Sequence, residues 1–349
     1  DYGDKKRGLS FEFINFYKSL KNYKNTKRIF NYPTDFSNFY TKEKFNQKAG
    51  SILQKYNFDI AFFVLFQDEF DDNFLRKLKS KKNIISIAWM SDDHWRFDNY
   101  SSKKAKLFDW ILTTDKKSLE KYNNLGIKNV ILTQWGFNHT EYLPKKKINN
   151  IDVSFIGQPH SDRRSIIRKL ENKKISVLCK GQGWKSGRAK HQEMVEIFAN
   201  SKINLNFTSS SKVMNFKSFV KIFLKKDKNF FKIYNFKEMI INFKNFFKEN
   251  EKQIKGRFFE ITGSGGFLLT EDAPFLDKYF EIGKEIVIFK DYKDLEQKIE
   301  FYLKNNELRN QIAKNGQIKV LKNHTYHNRY DKIFNKIFNL LKIDNSSKG

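Results

Sequence analysis

Short apolar runs bounded by turn residues alternate with segments of helical spacing along most of the chain, and this alternation limits most strongly the folds open to it. In the first half the runs are DIAFFVLF (59 to 66), IISIAWM (84 to 90), WILTT (110 to 114) and VILTQW (130 to 135). Their apolar residues are contiguous and do not alternate with polar ones, which suits strands buried on both faces. Parallel pairing needs a long crossover between consecutive strands, and helical segments supply it. DDNFLRKLKS (71 to 80) and DKKSLEKYNNLG (115 to 126) each open on an aspartate suited to an N-cap, and the second closes on Gly126 as a helix stop.

A polar, basic stretch, FNHTEYLPKKKINN (137 to 150), interrupts the series and reads as a linker. A second series follows: IDVSFIG (151 to 157), SDRRSIIRKLENK (161 to 173), ISVLCKG (175 to 181), HQEMVEIFANS (191 to 201) and INLNF (203 to 207), then GFLLTE, EIVIF and a helix from Asp291. At 349 residues the chain exceeds one ordinary core, so two doubly wound units are expected. Their boundaries fall at 1–145 and 151–324, with a helical tail over 325–349 in which Thr325 is the N-cap. The first periodic segment is a helix, LSFEFINFYKSL, so a strand is expected before it. Residues 211 to 252 break the rhythm with phenylalanine and lysine, and two readings are open: basic amphipathic helices lying on a membrane, or an insertion packing its aromatics on its own domain.

Apolar residues make up 39% and charged residues 30%, a balance that fits a folded domain and excludes a disordered chain. The single cysteine, Cys179, sits in a strand pattern and is read as packing; one cysteine also excludes an internal disulfide or cysteine metal cluster. No uncharged apolar run is long enough to cross a bilayer, so a cytoplasmic protein is expected, with peripheral contact at the inner membrane face left open. The formal charge of +28 points to anionic partners without choosing among nucleic acid, membrane, nucleotide phosphate and acidic glycan; an AT-rich genome accounts for lysine, asparagine, isoleucine and phenylalanine equally well.

KGRFFEITGSGGFLLTE (255 to 271) holds the densest chemistry. The apolar positions of QIKGRFFEI recur at helical spacing and GFLLT reads as a strand, so GSGG lies at a helix C-terminus, the end that repels anions. It is therefore a turn, and phosphates belong at the other end, near Lys255, Gly256 and Arg257. Glu260, one turn on, suits the two hydroxyls of a ribose; a solvated helix face is the plainer alternative.

This stretch, continued through DAPFLDKYFEIGKEIVIFKDYKDLEQKIEFYL and RNQIAKNGQIKVLKNHTYHNR, resembles the C-terminal domain of CgeB-like glycosyltransferases, a bacterial group. DYGDKKRGLSFEFINFYKSL and DVSFIGQPHSDRR are similar to the same group. The resemblance implies an α/β GT-B fold: two Rossmann-like domains facing a cleft, with a C-terminal helical tail that crosses back to the first domain. It implies a nucleotide-diphosphate sugar held by the second domain and a hydroxyl acceptor held by the first: a glycan, a lipid-linked acceptor or a protein. Transfer needs no cofactor and no obligatory metal, and surface polysaccharide or glycoconjugate synthesis is the expected context. On this resemblance Glu260 holds the donor ribose, and Lys255 and Arg257 neutralise the diphosphate. Many retaining GT-B enzymes carry a second glutamate eight positions earlier, where this chain has Lys252.

Two further turns belong at the same cleft. GQPHSDRR offers Gly157 and, in the first helical turn, Arg163; CKGQGWKSGR offers Lys180, Gly181 and Gly183, with Trp184 either stacking a base or packing its loop. In the first domain WMSDDHWRFD (89 to 98) follows a strand and concentrates acid and imidazole, so Asp92 and His94 are the candidate catalytic pair, as base or as acceptor-positioning groups; a helix cap with a surface ion pair is the alternative. One histidine beside two acids lacks the spacing of a zinc site. GDKKRG (3 to 8) is a further turn near the acceptor. A basic nucleic-acid-binding protein and a GT-B scaffold that binds glycans without catalysis remain the rivals, although no nucleic-acid motif, Walker loop or Gly-x-Ser-x-Gly elbow occurs.

Overall fold

The computed structural model describes residues 4, 7–65, 68–144, 150–160, 162–208, 220, 222–227, 230–249 and 251–346. Among these, the apolar runs become two parallel sheets. The first is β1 (Ile60–Val64), β2 (Ile85–Met90), β3 (Trp110–Thr113) and β4 (Val130–Leu132), side by side in chain order. The second contains β5 (Ile151–Ile156), β6 (Val177–Lys180), β7 (Ser201–Asn206), β10 (Leu268–Glu271) and β11 (Val287–Phe289), in the order β11-β10-β7-β5-β6.

The contiguous apolar runs are explained by the period of two along a strand, which sends neighbours to opposite sides. In β2, Ile87 and Trp89 enter one core while Ala88 and Met90 enter another; in β3, Trp110 and Leu112 oppose Ile111 in the same way. In the second sheet Leu268 and Leu269 divide likewise. Each large side chain buried here contributes about 2 kcal/mol. Cys179 lies in β6, half-buried, and burial pushes its thiol up to about 12, which leaves it inert as a nucleophile.

Helix α1 (11–21, with a π-helical centre at Phe13–Tyr17) and the last helix, α12 (Tyr326–Ser346), pack together on one face of the first sheet. Phe16 and Tyr23 meet Trp89, Tyr326, Tyr330 and Phe334 there. Thr325 caps α12 by accepting from the Asn328 N–H at 3.1 Å. Asp71 and Asp115 precede their helices as expected, but neither side chain caps the backbone: Asp71 pairs with Lys42 at 3.2 Å and Asp115 accepts from Ser118 at 2.6 Å. Among the described residues β1 pairs with β2 alone, and a cavity of about 1500 Å³ lies along its other edge, lined by Phe62, Tyr32, Phe16 and Leu53 among others.

Two segments differ from their sequence reading. The stretch read as a linker buries Phe137, Asn138 and Tyr142, because Phe137 bridges to Thr325 and Asn138 donates to the Ile14 carbonyl at 2.6 Å; residues 145–149 are outside the described part. The Phe/Lys-rich segment is helical only in part. It contains an antiparallel hairpin, β8 (Leu224–Asp227) with β9 (Phe230–Ile233), then helix α8 (Phe236–Glu249); residues 211–219 are outside the described part. Nor does α8 pack solely on its own half: it lies against the 93–104 helix after β2, with Asn242 accepting from Asn99 at 3.3 Å and Lys248 beside Asp98 at 3.3 Å.

Candidate active site

The GSGG question resolves into local geometry. Helix α9 (Gly256–Gly263) ends at Ser264, and Gly265 takes φ +81°, a left-handed conformation that a side chain would strain. The Gly265 and Gly266 N–H groups donate to the Thr262 and Ile261 carbonyls, closing the helix before β10. GSGG is thus a C-terminal turn, and the anion-attracting end of α9 is at Lys255 and Gly256.

At that end residues from both halves of the chain converge. Gly256 is buried, and a Cβ there would lie 2.9 Å from the Phe11 ring, so α1 comes directly against the start of α9. Glu260 is 2% exposed. It accepts from the Tyr142 hydroxyl at 2.5 Å and from Arg257 at 2.7 Å, and Asn15 of α1 reaches it with a long contact at 3.5 Å. Burial first, and the Glu260 charge second, raise the Tyr142 phenol well above its ordinary value, so it remains a donor. Arg257 also touches the Met194 sulfur at 2.9 Å and lies over the Phe198 ring at 5.1 Å, both on α7 (His191–Asn200). His191, at the start of α7, packs edge-on to Tyr142 and bonds the Glu141 carbonyl at 2.9 Å.

His94 lies on the helix after β2, where the Lys255 charge acts on it. Its Nδ1 is buried with no hydrogen-bond partner among the described residues, and burial, reinforced by the Lys255 charge, lowers the imidazole to about 4. The imidazole is therefore neutral near pH 7, a hydrogen-bonding group more than a proton acceptor. Asp93 is fully buried, accepts from the Tyr122 hydroxyl at 2.9 Å and is pushed up to about 6 by desolvation; its work is to anchor the helix to its neighbour α5 (Lys116–Asn124). Asp92 is half-buried, and its carbonyl accepts from the Trp95 and Arg96 N–H groups.

The remaining candidates form a separate constellation at the ends of β5 and β6. The Gly157 N–H donates to the Lys180 carbonyl at 2.9 Å, and a Cβ on Gly181 would lie 2.1 Å from the Gly157 oxygen, so the two turns are in contact. Arg163 donates to the Gln158 and Phe207 carbonyls at 3.1 and 3.3 Å, Lys180 pairs with Glu193 at 2.7 Å, and Trp184 donates to the Gly157 carbonyl at 2.8 Å. Trp184 is therefore a packed loop aromatic, not an open stacking platform, and Arg163 and Lys180 tie loops together in this conformation. Helix α7 joins the two constellations, since Glu193 holds Lys180 while the next residue, Met194, touches Arg257.

The model of the glycosyl transferase-like family matches residues 163–335. Residues 163–335, just under half of the chain, are therefore similar to the glycosyl transferase-like family. No curated protein matches the chain by sequence. Solved structures match nearly its whole length in fold. A glycosyltransferase from Rickettsia africae aligns with TM-score 0.54 at 10% identity, over 85% of this chain and 80% of its own. HepE from Anabaena, solved in complex with UDP, aligns with TM-score 0.53 at 11% identity, over 86% and 82%. TarM from S. aureus aligns with TM-score 0.50 at 11% identity over 85% of this chain, which spans 58% of TarM's length. The two parallel sheets and C-terminal helices are accordingly a GT-B arrangement, and the matched residues 163–335 contain α9 with Arg257 and Glu260 but not Asn15, His94 or Tyr142.

Sequence reasoning singled out Glu260, Arg257, Lys255 and His94 but did not include Tyr142 and Asn15, which the structure places against Glu260. Tyr142 stood in a polar stretch and Asn15 in an amphipathic helix, where neither has a local signature. The one available signal was the aromatic and apolar content of FNHTEYL inside an otherwise basic segment.

Proposed function

We propose that the chain is a GT-B glycosyltransferase of the CgeB-like type, moving a sugar from a UDP-sugar to a hydroxyl acceptor. The observation that carries this is the meeting of Arg257, Glu260 and the start of α9 with Phe11, Asn15 and Tyr142 from the other half of the chain. UDP as the carrier is supported by the fold shared with HepE, solved with UDP, and with TarM, solved as a mutant with UDP. The acceptor hydroxyl oxygen forms a new bond to the anomeric carbon while the bond from that carbon to the β-phosphate oxygen breaks. Charge gathering on the departing diphosphate is stabilised by Lys255, Arg257 and the N–H groups opening α9, the work a metal ion does in other transferases. Asp92 is the carboxylate for the acceptor proton; His94, neutral, hydrogen-bonds the donor, and the diphosphate's negative charge raises its basicity on binding.

Glu260 is the ribose acceptor in this reading, yet both of its oxygens are engaged here. A ribose must exchange with Tyr142 and Asn15, so donor binding is coupled to the contact between α9 and the first half of the chain. Gly157, Arg163, Lys180 and Gly181 border the donor site through α7 and adjust to the nucleotide. The units 1–145 and 151–324 act as acceptor and donor domains.

The test is a thermal-shift comparison of UDP, GDP, ADP, CMP and dTDP on the native chain and on Arg257→Ala. A ligand that binds only the folded state raises its melting temperature. A shift specific to UDP and lost in the variant supports the proposal; no shift with any nucleotide in a folded sample refutes it.

A further inference from the structure

Helix α8 presents two faces, and among the described residues one of them is left exposed. Positions 236, 240, 243 and 247 repeat at spacings of four, three and four, which places them on a single stripe. The stripe is exposed: Phe236 79%, Ile240 42%, Phe243 47% and Phe247 55%, with Ile233 at 75% just before the helix. This is not a core-facing stripe turned outward. The core-facing side of α8 is already in use, with Asn245 and Phe246 at 5% and 9% against the rest of the protein and Asn242 and Lys248 bonded to Asn99 and Asp98.

Charge identifies the partner. Lys237 and Lys244 follow one flank of the stripe, and Lys232 and Lys237 are exposed beside Ile233 and Phe236. Over residues 211 to 252 the sequence carries eleven lysines against four acidic residues. A row of aromatic and aliphatic side chains bordered by lysines fits an interface that is apolar just below an anionic surface, the boundary of a bilayer with acidic headgroups. No helix among the described residues is long and apolar enough to cross a membrane, so α8 would lie along the surface. Nucleic acid can stack its bases on single aromatic rings, but a continuous stripe of Phe236, Ile240, Phe243 and Phe247 along one helix face suits the acyl boundary of a bilayer, which takes in the whole stripe at once.

We infer that α8 docks the protein on an anionic lipid bilayer through Phe236, Ile240, Phe243 and Phe247. The docked helix packs on the residues that carry His94, and the chain leaving it forms the Lys117–Glu251 pair at 3.5 Å and reaches Lys255 four residues later. The mouth of the candidate site is thereby held at the membrane. Resting on the transferase proposal, this names the acceptor class: a hydroxyl carried on a lipid anchor and presented at the headgroup layer.

The experiment is flotation of the full chain with phosphatidylcholine vesicles, with and without phosphatidylglycerol, beside a triple variant, Phe236→Ser, Phe243→Ser and Phe247→Ser. That variant keeps every lysine, and its exposed positions leave the melting temperature unchanged. Binding should require phosphatidylglycerol and weaken roughly tenfold or more in the triple variant, since lysines alone hold weakly. Equal binding by the variant, or binding to soluble heparin and not to vesicles, overturns the inference. The UDP shift is read on the same samples. Its loss with lipid binding intact would refute the transferase proposal and leave the docking surface standing; lipid binding lost with the UDP shift intact would do the reverse.

Discussion

Replacing Glu260 by alanine should lower the stability of the fold and abolish nucleotide binding in one step. The carboxylate receives the Tyr142 hydroxyl at 2.5 Å and the Arg257 guanidinium at 2.7 Å while itself 2% exposed. Its removal strands both donors. One-sided removal from a fully buried pair costs about 3–5 kcal/mol. The Arg257 side chain is 28% exposed, so water meets part of its loss and a smaller penalty of about 2–3 kcal/mol is expected. Glu260→Gln keeps the shape but exchanges charge-assisted bonds for neutral ones, at about 1–2 kcal/mol. Tyr142→Phe removes a single hydroxyl for about 1 kcal/mol. The assay is denaturant unfolding of the native chain, the singles and the Tyr142→Phe/Glu260→Gln double, each repeated with UDP. The pair share one hydrogen bond, so the double should cost less than the sum of the singles. Because a ribose competes with Tyr142 for the carboxylate, Tyr142→Phe should show a larger UDP shift than the native chain. Strict additivity would show that the bond is not made in solution. A UDP shift unchanged in Glu260→Ala would remove Glu260 from the donor site.

Acid should weaken the fold through its buried histidines. His94 and His324 are lowered to about 4 and about 3, each mainly by burial, from an unfolded value near 6.5. The unfolded chain therefore gains protons first, and the stability these residues contribute is present above pH 6.5 and lost as pH falls toward 4 and 3. Asp93, raised to about 6, acts oppositely and returns part of that loss below pH 6. At about 1.4 kcal/mol per unit the net is a few kcal/mol, visible as a melting temperature that drops below pH 6 and drops less in His324→Gln; a flat profile would contradict it. Gly263→Ala should destabilise by about 1–3 kcal/mol, since the new Cβ would lie 2.5 Å from the buried Phe137 ring, and Phe137→Leu should recover part of that loss in a melting assay.

Much of this protein is legible along the chain because the physics involved is local. A strand covered on both faces needs consecutive apolar residues, and those runs mark β2, β3, β5 and β7 within a residue or two. Helices often end in a left-handed residue, usually glycine, so GSGG after a helical pattern announces a stop, and the helix direction then places Lys255 and Arg257 at the anion end. What the chain alone does not disclose is which distant surfaces meet. Glu260 looks like an open ligand for a ribose, but Asn15 and Tyr142, 245 and 118 residues away in sequence, close over it. Arg163 and Trp184 look free to bind a nucleotide until the fold brings backbone carbonyls within their reach. The same holds for α8. Its period and composition are written in the sequence, yet only packing against Asp98 and Asn99 decides which stripe is covered and which faces outward. Periodicity is set by neighbours along the backbone; burial, pairing and the identity of the free face are set by whichever segments collapse together, and no short window of sequence contains that information.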